Sequence, residues 1–213
     1  MSTMEALEQV YLTHHAKGNR YGVSIFKAQR GDFLKDRIGT GKTVLDIGCR
    51  DGALTATYCR GNRVLGVDID TKALEAARKN TGIETIQFDL AGTWPIKDKQ
   101  YDFVVAGEVL EHVYFPDTVI GNIARVLKPN GALLGSVPNA FSLANRVRLF
   151  LGRKQNTPLQ DPTHINHFSR HELSRILHRH FKEVTFIPCG RFAFLDRVFP
   201  GLFSFALLFE ARE

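Results

Sequence analysis

The run Val44–Thr55, VLDIGCRDGALT, limits what this chain can fold into more than any other segment. Thr43–Ile47 is short, β-branched and apolar, and reads as a buried strand ending beside an acid. The chain then turns through Gly48 and Gly52, with a helix expected over 53–60. A second strand, 63–67, leads into Asp68-Ile69-Asp70, its first acid 22 residues after Asp46. Strand, glycine turn, helix and acid-tipped strand at this spacing make a nucleoside-binding crossover. Glycine in such a turn permits positive φ and close backbone approach to a ligand. A dinucleotide site would want a further glycine at position 50 and a pyrophosphate on the helix N-terminus. Arg50 stands there instead, and Asp46 and Asp51 put negative charge where phosphates would lie. Repulsion argues against NAD and FAD, whereas the same acids suit a ligand carrying an amino group and a sulfonium. Asp68 is placed to accept from both ribose hydroxyls.

The rest of the chain alternates in the same manner. Residues 4–16 and 24–37 read as helices broken at Gly18-Asn19-Arg20-Tyr21-Gly22, a cap before the first strand. Beyond the crossover come helix 71–80, strands 84–88 and 101–106, helix 116–127 and strand 131–136. A short amphipathic helix at Phe141–Leu151 precedes a long loop, Gly152–Phe168, then helix 170–179 and strands 182–188 and 203–210. Alternation of this kind makes a mostly parallel sheet with helices on both faces. The expected fold class is α/β, Rossmann-like, in a single domain over 1–213. Residues 1–40 form the helical cap, 41–137 the cofactor-binding half and 138–213 a substrate-side half with a lid.

These segments resemble the class I S-adenosylmethionine-dependent methyltransferases over roughly residues 40–190. Five family motifs occur in order: Asp46–Gly52, Gly66–Asp70, Phe88-Asp89-Leu90, Tyr101–Glu108 and Val126–Gly131. Arg50 departs from the usual glycine of the first. The resemblance implies seven strands with the last antiparallel, and S-adenosylmethionine at the carboxyl ends of strands one to four. Its implied cofactor-binding residues are Asp46, Gly48, Cys49, Arg50, Gly52, Asp68, Ile69, Asp89, Leu90, Gly107 and Glu108, with Asp89 toward the exocyclic amine of the adenine.

The chemistry is expected to turn on Glu108-Val109-Leu110-Glu111-His112. If Glu108 starts a helical turn, residues 108, 111 and 112 share one face. Two carboxylates and an imidazole on one face make half of a divalent-metal site, which His164 or His167 from the lid would complete. Mg²⁺ with waters, or Mn²⁺, Co²⁺ or Zn²⁺, would suit the mixed set, and would lower the pKa of a substrate hydroxyl. This E-x-x-E-H pattern with a later histidine resembles the ubiquinone-biosynthesis O-methyltransferases and the RNA 3′-terminal 2′-O-methyltransferases. Without metal, His112 or His167 would act as general base. Glu111, His112 and His167 are therefore the candidate catalytic residues, and Glu108, Glu111, His112 and His164 the candidate ligands.

Composition bounds the setting. The formal net charge is +6, with basic residues gathered at Arg146, Arg148, Arg153 and Lys154 and again at Arg170, Arg175, Arg179 and Lys182. Three cysteines at 49, 59 and 189 have no metal-finger spacing, and their odd count disfavours a disulfide framework. The first 20 residues lack an apolar signal-peptide core, so a cytoplasmic setting is expected. Phe203, Phe205, Leu207 and Phe209 alternate as a strand facing inward, while the aromatic loop 191–201 is harder to bury and suggests a membrane contact or a homodimer patch.

The leading expectation is O-methylation of a small molecule, such as a quinone precursor, lipid or sugar, by in-line methyl transfer. The basic stretches support an RNA 3′-terminal 2′-O-methyltransferase as the alternative. Arg50 alone hints at a cofactor-binding regulator without catalysis.

Overall fold

Thr43–Ile47 forms β1, buried along nearly its whole length, and it pairs in parallel with β2 (Arg63–Asp68). The chain is described as a computed structural model over residues 3–17 and 22–213. In element order, α1 (Thr3–Lys17) and α2 (Lys27–Ile38) precede β1. Next come β2, α3 (Thr71–Thr81), β3 (Glu84–Gln87), β4 (Tyr101–Gly107) and α4 (Pro116–Val126). The chain ends with β5 (Leu127–Pro138), α5 (Leu143–Phe150), α6 (Arg170–Leu177), β6 (Glu183–Cys189) and β7 (Ala206–Arg212). The seven strands lie in the order β3-β2-β1-β4-β5-β7-β6. The β2–β3 pairing is also parallel, and β7 runs antiparallel to both β5 and β6. The expected α/β Rossmann-like sheet with an antiparallel last strand is what the chain forms. The expected break at 18–21 lies outside the described residues.

The chain packs as two compact units, Met1–Val105 with Val126–Gly131, and Ala106–Arg125 with Ala132–Glu213. In the first, Val44, Leu45, Ile47 and Val67 are fully buried, and the helix after β2 is well determined locally. Asp70 caps α3 by accepting from Ala73 N–H at 2.9 Å, and Gly82 closes the helix in the left-handed conformation. In the second, Leu133, Leu134 and Val137 of β5 are fully buried, as are Leu173 and Leu177 of α6. Ser169 and Glu172 form a reciprocal capping box at the start of α6.

Two local expectations fail for identifiable reasons. No α-helix forms over 53–60; there is only a 3-10 turn, Thr55–Thr57. Thr57 spends its hydroxyl on Leu54 O at 2.7 Å, and the Thr55 hydroxyl and Tyr58 phenol both donate to Asp46. Side-chain bonds of this sort compete with the helical ladder. At the C-terminal end, Leu207 and Phe209 are buried, but Phe205 is exposed and precedes the strand. β7 is buried at every position but its last, so both of its faces are covered rather than one in alternation.

Candidate functional site

In the first unit, the carboxyl ends of β1 and β2 gather four buried aspartates, Asp46, Asp51, Asp68 and Asp70. Their roles differ. Asp70 is the α3 cap. Asp51 accepts from Arg50 Nε at 3.1 Å and from the Gly22 N–H, which commits it to the chain entering α2. Asp68 accepts from Arg50 N–H at 2.8 Å and Asp70 N–H at 3.0 Å, one on each oxygen. These bonds fix the orientation of a carboxylate at the end of β2, an acceptor of the kind that ribose hydroxyls require. Asp46 accepts from Thr55 at 2.6 Å and Tyr58 at 2.5 Å. Burial pushes its carboxyl from 3.8 up to about 6, although the Thr55 and Tyr58 hydrogen bonds pull the other way.

The glycine turn is tight. Gly48 and Gly52 have φ of 67° and 75°, and Arg50 itself takes φ 49°. A left-handed arginine is unusual, and its surroundings hold it there. Its amide is fixed on Asp68, and its guanidinium bonds Asp51 and the Val23 carbonyl. The Cys49 thiol points into a cluster with Leu74 and Ala77, and burial raises its pKa well above the ordinary value. Cys49 can therefore offer a ligand its backbone but not a thiolate.

Next along the sheet, Gln87 Nε2 donates to Ile69 O at 2.9 Å. The turn at 88–94 is closed by Trp94 donating to Leu90 O at 2.9 Å, by the buried Phe88–Trp94 pair, and by Asp89 accepting from Ala91 N–H. Ile69, Asp89 and Leu90 are half-buried beside these locked groups.

In the second unit, Gly107 ends β4 and Glu108 takes φ 61°. A left-handed Glu108 cannot begin a right-handed turn, so residues 108, 111 and 112 do not share a helical face. The turn that forms instead is closed by His112 N–H on Val109 O at 2.9 Å. It brings Glu111, His112 and His164 together, with one potential ligand atom from each within 4.8 Å of the others. Glu108 is not part of this cluster. His112 Nδ1 lies 3.0 Å from Thr163 O, and His164 Nδ1 lies 2.9 Å from Pro158 O. A carbonyl only accepts, so each Nδ1 carries a proton and each ring turns its Nε2 away from that carbonyl. His112 Nε2 is 4.0 Å from the buried Glu111 carboxylate.

The segment 163–167 is pinned to this turn. Glu111 O accepts from Ile165 N–H at 2.9 Å and Asn166 N–H at 3.0 Å, and Asn166 Nδ2 donates to Leu110 O and Val113 O. Among the described residues, the buried atoms Glu108 Oε1, Ser136 Oγ and His167 Nε2 make no hydrogen bond. Buried polar atoms are rarely left so. Burial and the neighbouring His164 lower the His167 pKa, which keeps its ring neutral at ordinary pH. Thr55, Tyr58, Ser136 and Asn166 carry no motif. Their only sequence signal is that they are polar where the surrounding pattern calls for a core.

A seven-stranded sheet of this order, with an acidic glycine turn after β1 and a ribose-suited acid after β2, defines the class of S-adenosylmethionine-dependent methyltransferases. A family model described as a methyltransferase domain matches residues 23–180, and the chain belongs to that family. Among curated relatives, the ubiquinone biosynthesis O-methyltransferase of Actinobacillus pleuropneumoniae is 36% identical over 130 residues, covering 55% of each chain. That of Klebsiella pneumoniae is 37% identical over 118 residues, covering 50% of this chain and 48% of its own. The chain thus spans about half the length of the curated relatives it matches. Of solved structures, a methyltransferase of Thermotoga maritima, described as a possible histamine N-methyltransferase, aligns with a TM-score of 0.71 at 15% identity, covering 98% and 99% of the two chains. One from Archaeoglobus fulgidus gives 0.68 at 20% identity, covering 95% and 99%. At such identities these two speak for the fold alone. The chain carries a methyltransferase domain, and S-adenosylmethionine is the cofactor of that family. The donor set fits that group: buried carboxylates for hydroxyls and for positive charge, and no phosphate-binding glycine at position 50.

Proposed function

We propose that this protein transfers the methyl group to a hydroxyl oxygen of a small molecule, a phenolic quinone precursor being the first class to try. The observation that carries this reading is the cluster of Glu111, His112 and His164, with His167 as a neighbour of His164. An oxygen acceptor must lose a proton as the methyl arrives, while the sulfonium needs no activation. His167, with an unpartnered Nε2, is the proposed base, and His112 with Glu111 orients the hydroxyl. The relatives named for ubiquinone biosynthesis support an oxygen acceptor. Asp46, Asp68, Asp89 and the 48–52 backbone would hold the cofactor, and the free cysteines suit a reducing, cytoplasmic setting.

The test is methyl-labelled cofactor offered with phenols, sugars, lipid headgroups and short RNA. The expected result is a labelled methyl ether of a small molecule. His167→Gln should lower kcat by about 10²-fold or more while leaving S-adenosylhomocysteine affinity unchanged. Label on nitrogen or carbon, label on RNA alone, or an unaffected His167→Gln enzyme would overturn the proposal.

A second reading has its own observation. Both His112 and His164 donate Nδ1–H to a backbone carbonyl, which is how metal-bound histidines are usually held. Glu111, His112 and His164 would then bind Mn²⁺ or Mg²⁺, a metal that acidifies a hydroxyl when bound. Mn²⁺ titration by calorimetry on the whole protein should show one site that His164→Ala weakens at least tenfold. Equal binding by the two proteins would remove the metal from the reading.

A further inference from the structure

α5 is amphipathic in the wrong direction for a helix that serves the core. Leu143, Val147, Phe150 and Leu151 fall at i, i+4, i+7 and i+8, so they form one stripe, and all four are exposed. Val147 is 52% and Phe150 90% exposed. The residue this helix buries is Asn145, which donates to Asn139 O at 2.8 Å. The loop after β6 repeats the arrangement: Phe192, Phe194, Val198 and Phe199 are exposed, Phe194 at 66%. The two segments are joined. Leu143 N–H donates to Leu202 O at 2.8 Å, and Asn139 Nδ2 donates to Gly201 O and Ser204 O, both at 2.8 Å.

Charge identifies the partner. Residues 141–156 contain Arg146, Arg148, Arg153 and Lys154 and no acid. Residues 191–205 add Arg191 and Arg197 against a single acid, Asp196. The Asp196 carboxylate is turned inward, accepting from Phe203 N–H at 2.6 Å and from Ser204 N–H and hydroxyl. Within these two segments the exposed apolar groups are therefore accompanied by cations, the one acid being turned away. We infer that α5 and the 191–205 loop form a docking surface for an anionic lipid bilayer, with the apolar stripe entering the headgroup region and the basic residues meeting lipid phosphates. A second copy of the chain would set like charge against like charge. Single-stranded nucleic acid would use the aromatic rings, but it gains nothing from Leu143, Val147, Leu151 and Val198, which have no face on which a base stacks. The inference is independent of the methyl acceptor.

Vesicle co-sedimentation of the full chain tests it, comparing phosphatidylcholine alone with phosphatidylcholine containing phosphatidylglycerol. Binding is expected to the anionic vesicles and to fall with salt. Arg153→Ala with Lys154→Ala should weaken it roughly 30-fold, at about fivefold per lost charge near the surface. Phe150→Glu and, separately, Phe194→Glu should weaken it at least tenfold while S-adenosylhomocysteine affinity, the folding control, is unchanged. Failure to bind anionic vesicles would overturn the inference. So would equal binding by the charge and aromatic variants, or light scattering that shows a dimer abolished by Phe150→Glu with no vesicle binding. The same would follow if these substitutions altered only the binding of single-stranded RNA.

Discussion

Asp46 gives the sharpest prediction, because it is a buried carboxylate that weakens the fold it sits in. Burial holds its native pKa at about 6 against 3.8 for an ordinary aspartate. Between these values the native state binds more protons than the unfolded chain. Stability therefore falls as pH rises from about 4 to about 7 and levels off above that. A displacement of about two pKa units corresponds to roughly 3 kcal/mol lost by pH 8. Asp46→Asn keeps the shape and an acceptor oxygen for Thr55 and Tyr58 but cannot ionise. The variant should match the wild type near pH 4 and exceed it by about 3 kcal/mol at pH 8. For a chain of this length that is about 6–12 °C in Tm. Urea unfolding of both proteins at half-unit steps from pH 4.5 to 8 reads the difference directly. A wild-type-minus-variant difference that stays flat across this range would refute the reasoning. The substitution should also weaken S-adenosylmethionine more than S-adenosylhomocysteine in calorimetry, because only the former carries the sulfonium that a buried anion would favour. A carboxylate kept at such a cost to stability is characteristic of a functional site.

Three further outcomes follow from the packing. A Cβ added at Gly135 would lie 2.3 Å from Phe209 Cζ, on a strand whose neighbour is fully buried, so Gly135→Ala should cost about 1–3 kcal/mol by chemical denaturation, and Phe209→Leu should recover part of it. Arg50→Ala removes the guanidinium that bonds Asp51 and Val23 O; amide exchange at 22–26 should speed up and S-adenosylhomocysteine binding weaken by up to about tenfold, whereas unchanged exchange would mean that Arg50 does not hold this segment. Asn166→Ala strips the bonds to Leu110 O and Val113 O and should cost about 1–3 kcal/mol by thermal unfolding, with greater exchange at 163–167.

What could be read in the sequence divides along a physical line. β1, β2 and α3 were legible almost to the residue, because strand periodicity, the Asp70 cap and the Gly82 stop all act within a few positions of one another. The same is true of the turn itself, where glycine, acid and spacing are local facts. The segment 53–60 was not legible, since what prevents a helix is an acid nine residues earlier in the chain, waiting for the Thr55 hydroxyl. Glu108 was misread for a related reason. The spacing of 108, 111 and 112 fits a helix face, but the chain leaves β4 with a left-handed residue, and no pattern of side chains announces that backbone choice. The cluster nevertheless forms, because its other half is built from afar: the backbone amides of Ile165 and Asn166 close on Glu111 O, and the Thr163 and Pro158 carbonyls take the imidazole protons. Local spacing therefore located Glu111 and His112, and only tertiary hydrogen bonding decides that His164 joins them, that both rings present Nε2, and that Glu108 is left to other work.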